Sequence, residues 1–96
     1  MSASISAQAL AASPSRFRII DIREPLDFAM YNPWPATNIP YATLMQSPEK
    51  YLVKGENYYL ICVNGSVSLR AARILQMDGY KVRSVDGGYA VLPSLQ

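Results

Sequence analysis

Tyr58-Tyr59-Leu60-Ile61-Cys62-Val63-Asn64-Gly65-Ser66 is the stretch on which the fold turns. Tyr58 to Val63 is a short apolar run of the kind that forms a strand buried on both faces of a parallel sheet. Asn64-Gly65 is turn-forming. From Ser68 to Met77 the apolar spacing becomes that of an amphipathic helix. A strand that feeds a helix through a tight turn is the unit from which α/β folds are built. Cys62, the single cysteine of the chain, therefore falls beyond the carboxyl end of a strand, where open α/β sheets bind ligands. The following helix offers free N–H groups and the positive end of its dipole, and both stabilise a thiolate. A lone cysteine in an apolar run is more often core packing than chemistry. Here it closes the run and a turn follows at once, which favours a nucleophile.

Upstream, Ser6 to Ala12 reads as a short helix opening at Ser4 or Ser6 and ended by Ser13-Pro14-Ser15. Phe17, Ile19, Ile20 and Ile22 form a second strand with the charged Asp21-Ile22-Arg23-Glu24 at its carboxyl end. Pro25 suits a first helical turn, and Leu26, Phe28, Ala29 and Met30 predict a turn or two packed on the sheet. Pro33, Pro35 and Pro40 exclude regular helix and make an extended loop that leads into a short strand at Asn38-Ile39. Pro48 to Leu52 reads as one more helical turn. Downstream, Asp78-Gly79 stops the long helix with Gly79 left-handed. Val82, Ser84 and Val85 form another strand, Asp86-Gly87-Gly88 a tight turn, and Tyr89 to Leu92 a last helical turn. Strands alternating with helices predict an α/β domain with a mostly parallel sheet. No repeat or linker divides the chain, so a single domain over residues 1–96 is expected.

Composition removes several functions. With 17% charged residues and half of the residues hydrophobic, the chain reads as an ordinary globular protein. A net charge of +2 is too small to argue for nucleic acid or a membrane surface as partner. One cysteine excludes an internal disulfide, and no apolar stretch reaches transmembrane length. Met1-Ser2-Ala3-Ser4 lacks the features of a secretory leader, so a cytoplasmic location is expected. There is no histidine, so neither a Cys-His nor a Ser-His pair can form, and no zinc site of the usual kind. Nothing calls for a metal, nucleotide or organic cofactor. Backbone dipoles or cations must do whatever activates Cys62. Helices on both faces of the sheet leave little apolar surface for a dimer, and a monomer is expected.

The order of these pieces resembles the rhodanese domain, from about Ser4 to Leu92. Ile20-Asp21-Ile22-Arg23-Glu24-Pro25 with Asp27-Phe28-Ala29 is similar to the family's strand-end D-[VI]-R-E and the short acidic-aromatic helix after it. Tyr59 to Ser68 is similar to the active-site strand and six-residue loop, usually close to C-R-x-G-x-R-[ST]. Gly79-Tyr80-Lys81-Val82 with Asp86-Gly87-Gly88 is similar to the G-[FY]-x-[VN] and [ED]-G-G pair. The resemblance implies a rhodanese-like three-layer α/β domain with a central, mostly parallel sheet. It also implies sulfane sulfur chemistry, in which a thiolate takes sulfur as a persulfide and passes it to an acceptor. On that basis Cys62 is the carrier, and Val63, Asn64, Gly65, Ser66, Val67 and Ser68 form the loop that holds substrate. Gly65 matches the mid-loop glycine and Ser68 the hydroxyl residue that closes the loop. The hydroxyl of Ser66 or Ser68 would accept from a first-turn N–H or donate to a terminal sulfur; ordinary N-capping is an equal reading of both. Asp21 and Arg23 match family positions and read as structural.

Two departures matter. Val63 stands where the family often has Arg, and Val67 where it nearly always has Arg or Lys. Without those cations the binding of an anionic donor such as thiosulfate is expected to weaken. Arg70 is the nearest cation in sequence, at a different spacing. In the middle segment the family's Gly-His opening is replaced by Tyr31-Asn32, Leu92 occupies a position that is often Trp, and Trp34 reads as a lid on the core.

Three functions follow. The first is a small sulfurtransferase served by a neutral or protein-bound persulfide, with a small thiol or protein persulfide as its partners and with Cys62 open to solvent. The second is a degenerate module that binds a partner or senses oxidation without turnover. The third, a phosphatase of the same fold group, requires Arg where Ser68 stands and so lacks a bidentate phosphate anchor.

Overall fold

The computed structural model describes residues 2–13 and 18–91. Strands β1 (Ser4–Ile5), β2 (Ile19–Asp21), β3 (Ala36–Asn38), β4 (Asn57–Ile61) and β5 (Lys81–Val85) form one sheet in the order β1-β5-β4-β2-β3. Each neighbouring pair is parallel. Helices α1 (Ala7–Ala11), α2 (Pro25–Met30), α3 (Tyr41–Gln46) and α4 (Ser66–Met77) alternate with them, and short 3-10 turns span Pro48–Lys50 and Gly88–Ala90.

The alternation of side chains along a strand divides the core into two layers. Leu60 and Cys62 of the β4 segment join Ile20, Ile22 and Val82 under Ala71, Ala72 and Leu75 of α4 and Leu44 of α3. Tyr59 and Ile61 face the other way, with Ile19 and Val85, against Ala7 and Leu10 of α1 and Tyr89. The Cys62 side chain is thus directed to the α4 side of the sheet.

Strand order explains where a site can form. From β2 the chain moves outward to β3, then returns across β2 to β4 and continues outward to β5. The connections after β2 and β4 therefore diverge, and a crevice opens between the carboxyl ends of these adjacent strands. Asp21 pairs with Ile61 in register, so the segments that begin at Ile22 and Cys62 start side by side.

The structure departs from the sequence reading in several elements. Ser4-Ile5 is an edge strand paired with Ser84 and Val85, too short to show a period. Ser6 then caps α1, its hydroxyl accepting from the Ala9 N–H at 3.1 Å. The β3 strand is Ala36–Asn38, starting directly after Pro35, rather than Asn38-Ile39. Helix α3 follows Pro40 and buries only Leu44, so no repeating apolar spacing marked it. Helix α2 forms where Pro25 predicts it but does not pack its apolar residues on the sheet: Leu26 is 72% and Met30 78% exposed. Its end is tied instead by Asn32 Nδ2 donating to the Phe28 carbonyl at 2.7 Å. Helix α4 begins two residues earlier than predicted, at Ser66. Trp34 packs against the α1-side core. Readings made at Pro14, Ser15, Phe17 and Leu92 lie outside the described residues. No helix among the described residues is long and apolar enough to cross a membrane.

Candidate active site at the β2–β4 crevice

The chain leaves β4 at Ile61 and turns tightly around the sulfur of Cys62 before entering α4. The Gly65 N–H donates to Cys62 Sγ at 3.2 Å and the Ser68 N–H at 3.4 Å. These main-chain donors lie at and just inside the N-terminus of a twelve-residue helix, where unpaired N–H groups and the dipole favour negative charge. Gly65 makes the turn possible by taking φ +94°, a conformation that costs glycine little. Asn64 completes the entry to the helix: its Oδ1 accepts from the Ser66 N–H at 3.0 Å and from the Ser66 hydroxyl at 2.9 Å. Of the two serines read as caps or sulfur contacts, Ser66 is thus turned to Asn64 and Ser68 to the sulfur.

The floor of the loop is the Asp86-Gly87-Gly88 turn. The Tyr89 N–H donates to the Cys62 carbonyl and the Ala90 N–H to the Val63 carbonyl, each at 3.0 Å. That approach requires glycine, because a Cβ on Gly88 would lie 2.1 Å from the Cys62 carbonyl oxygen.

Behind the sulfur lies a hydroxyl pair that the sequence reading did not assign. Cys62 Sγ is 3.3 Å from Ser68 Oγ, which is 2.6 Å from Ser84 Oγ on β5. Both hydroxyls also approach the Gly65 carbonyl, at 3.2 Å for Ser68 and 3.4 Å for Ser84. Both serines are buried. When sulfur carries its proton it donates to Ser68, which in turn donates to Gly65. When sulfur is ionised, Ser68 can reverse to donate to it while Ser84 donates to Ser68, and every buried oxygen keeps a partner. The available signal was Ser84 itself, a polar residue two positions from Val82 on the core-facing side of a strand.

Above the sulfur is a cleft of about 420 Å³ lined by Ile22, Arg23, Glu24, Asp27, Tyr41, Cys62, Val63, Asn64, Ser66 and Val67. It brings Cys62 together with Val63, Asn64, Ser66 and Val67 of the expected loop. Ser68 is fully buried behind the sulfur and does not line this cleft, while Gly65 lines a neighbouring cleft beside Asp86 and Gly87. Cys62 is not open as expected: it is 5% exposed and sits at the base of the cleft. Its carbonyl accepts from the Tyr89 N–H, and its side chain packs in the α4-side core beside the cleft. Arg70 is exposed and does not line this cleft.

The one arginine in the wall is held in a structural cluster. Arg23 Nε donates to both Asp21 carboxylate oxygens at 3.1 and 3.0 Å, and a terminal nitrogen donates to Asp21 Oδ2 at 2.7 Å and to the Tyr31 carbonyl. The guanidinium lies 4.1 Å from the centre of the Tyr89 ring, whose hydroxyl donates to Asp21 Oδ2 at 2.8 Å. Hydrogen bonding to Asp21 holds the Arg23 pKa above its ordinary value. Burial, and then the bond to Asp21, push the Tyr89 phenol well up from its ordinary value.

A parallel five-stranded α/β sheet with a cysteine loop at its topological switch point defines the class of protein. The model of the rhodanese-like domain matches residues 5–92, and the chain belongs to that family. A rhodanese-related protein from Thermoplasma volcanium superposes with a TM-score of 0.85 at 26% identity, over 98% of this chain and 93% of its own. A rhodanese-like domain protein from Staphylococcus aureus gives 0.77 at 27% identity, over 93% and 89%. The reduced CoADR-RHD of Bacillus anthracis gives 0.76 at 28% identity, over 95% of this chain but 17% of its own. No match was found among curated proteins.

Proposed function

We propose that this rhodanese-like domain is a sulfurtransferase that carries sulfane sulfur on Cys62. The observation that supports it most is the pair of main-chain N–H groups, from Gly65 and Ser68, directed at Cys62 Sγ. The Cys62 thiolate attacks the outer sulfur of a donor persulfide, R–S–SH. The donor's S–S bond breaks, R–S⁻ leaves, and Cys62 holds the transferred sulfur as Cys–S–SH. An acceptor nucleophile then attacks that outer sulfur, the new S–S bond breaks, and Cys62 returns as thiolate. Sulfur is passed on without net oxidation. Cys62 Sγ bears negative charge at the start of the first step and the end of the second, and the two N–H donors serve both.

The donor and acceptor are each a small thiol species or a protein persulfide. The reaction needs no group beyond the chain and its two substrates. The cleft gives the outer sulfur room above Val63, Asn64, Ser66 and Val67, and the Ser68–Ser84 pair adjusts to either charge on Cys62.

The test is turnover with 2-hydroxyethyl persulfide as donor and cyanide as acceptor, read as thiocyanate. Thiocyanate above the uncatalysed rate is expected from the protein and not from Cys62→Ser. Equal rates for the two proteins would refute the proposal.

A further inference from the structure

We infer that the cleft above Cys62 selects persulfides by the charge of their carrier, favouring a positively charged carrier and disfavouring anions. The inference rests on the sulfur-carrier reading and deepens it. Three charged residues line the cleft: Arg23, Glu24 and Asp27. The Arg23 side chain is 8% exposed and its charge is matched by Asp21, so it presents no free cation to a ligand. Glu24 and Asp27 are exposed, and among the described residues neither forms an ion pair. The remaining lining is neutral: Ile22, Tyr41, Val63, Val67, Asn64 and Ser66.

The field in the cleft is therefore divided. At its base the amides and the N-terminus of α4 are positive and face the sulfur. The exposed lining carries the Glu24 and Asp27 carboxylates, which form no ion pair among the described residues. They lie on the side from which the carrier of that sulfur must approach. A persulfide on an ammonium-bearing carrier matches both halves. A carboxylate-bearing carrier or thiosulfate places negative charge against Glu24 and Asp27, where the family's usual loop cations would have received it. For charges several ångströms apart near a protein surface, two carboxylates separate cationic from anionic donors by about 10-fold at low ionic strength.

The experiment measures the rate of sulfur loading on Cys62 by intact mass, using the persulfides of cysteamine, 2-mercaptoethanol and mercaptoacetate. Each rate is divided by that of the same donor with free 3-mercapto-1-propanol, a neutral thiol different from all three carriers, which removes differences in intrinsic reactivity. The expected order is cationic, neutral, anionic, with about a 10-fold spread that narrows as salt is added. In the double variant Glu24→Gln with Asp27→Asn the spread is expected to fall below about 3-fold. Equal normalised rates, a faster anion, or a spread untouched by the double variant would overturn charge selection and leave the carrier reading standing. No loading from any donor would overturn the carrier reading and this inference with it.

Discussion

Two segments leave the sheet side by side, after β2 and after β4, and they are built by opposite means. The β2 end is held by side-chain charge: Asp21 is fully buried and receives Arg23, Tyr89 and the Arg23 N–H at 2.9 Å. The β4 end is held by main chain: amides of Gly65 and Ser68 meet the sulfur, and amides of Tyr89 and Ala90 meet the carbonyls beneath it. Tyr89 belongs to both, its hydroxyl in the first and its N–H in the second. The lesson is that the one arginine beside the cysteine belongs to the scaffold. The donors that meet the sulfur are main-chain N–H groups, and the loop positions where the resemblance leads one to expect cations are Val63 and Val67, 62% and 41% exposed.

Breaking the charged segment should have the largest effect. Asp21→Ala leaves the Arg23 guanidinium without its partner inside the fold, a change that costs about 3–5 kcal/mol; urea denaturation reads it as a lower midpoint. Breaking the main-chain segment is the next largest. Gly88→Ala forces a Cβ toward the Cys62 carbonyl oxygen at a φ of +53°, and about 2–3 kcal/mol of destabilisation is expected, with sulfur loading impaired in the protein that remains folded.

A third change adds to the β4 segment the charge it lacks. Val67→Arg places a guanidinium on an exposed position of the cleft wall, and thiosulfate use is expected to rise about 10-fold in a thiocyanate assay. An unchanged rate would show that the missing cation is not what limits thiosulfate.

The smallest effect is a pH dependence. Burial and the bond to Asp21 raise the folded-state pKa of Tyr89 above the unfolded value of 10.0. The folded protein therefore keeps a proton that the unfolded chain gives up. This contribution is complete below the unfolded value and declines as pH rises through the alkaline range above it. Tyr89→Phe is expected to be less stable than the parent at neutral pH, by about 1 kcal/mol for the lost hydrogen bond. Its stability is expected to fall less steeply as pH rises above about 10, measured by urea denaturation at each pH.

Legibility from sequence followed physical signal. The strand–turn–helix around Cys62 was readable because Tyr58 to Ile61 is continuously apolar, Gly65 marks a turn, and Ala71, Ala72 and Leu75 recur on one helical face. The loop from Val63 to Ser68 is placed by its likeness to the rhodanese active-site loop, not by apolar spacing. What a linear pattern does not encode was missed. The β1 strand is two residues stabilised by an edge pairing with Ser84 and Val85, far away in the sequence, and α3 buries one side chain. Arg23 could be seen at a strand end but not its engagement with Asp21, Tyr31 and Tyr89, which are brought together only by the fold. Ser84 became part of the site because β5 lies beside β4, and no local spacing joins it to Ser68. The burial of Cys62 follows from its place in the cluster of Ile20, Ile22, Leu60, Ala71, Ala72 and Leu75, residues that only the fold brings together.

The most direct test is the intermediate itself. The reduced protein is treated with 2-hydroxyethyl persulfide, freed of excess donor, weighed intact, and weighed again after cyanide, with Cys62→Ser alongside. One added sulfur located on Cys62, removed by cyanide and absent from the variant, is the expected result. A folded protein with Cys62 reduced that gains no sulfur, or gains it equally in the variant, would contradict the assignment of Cys62 as the carrier.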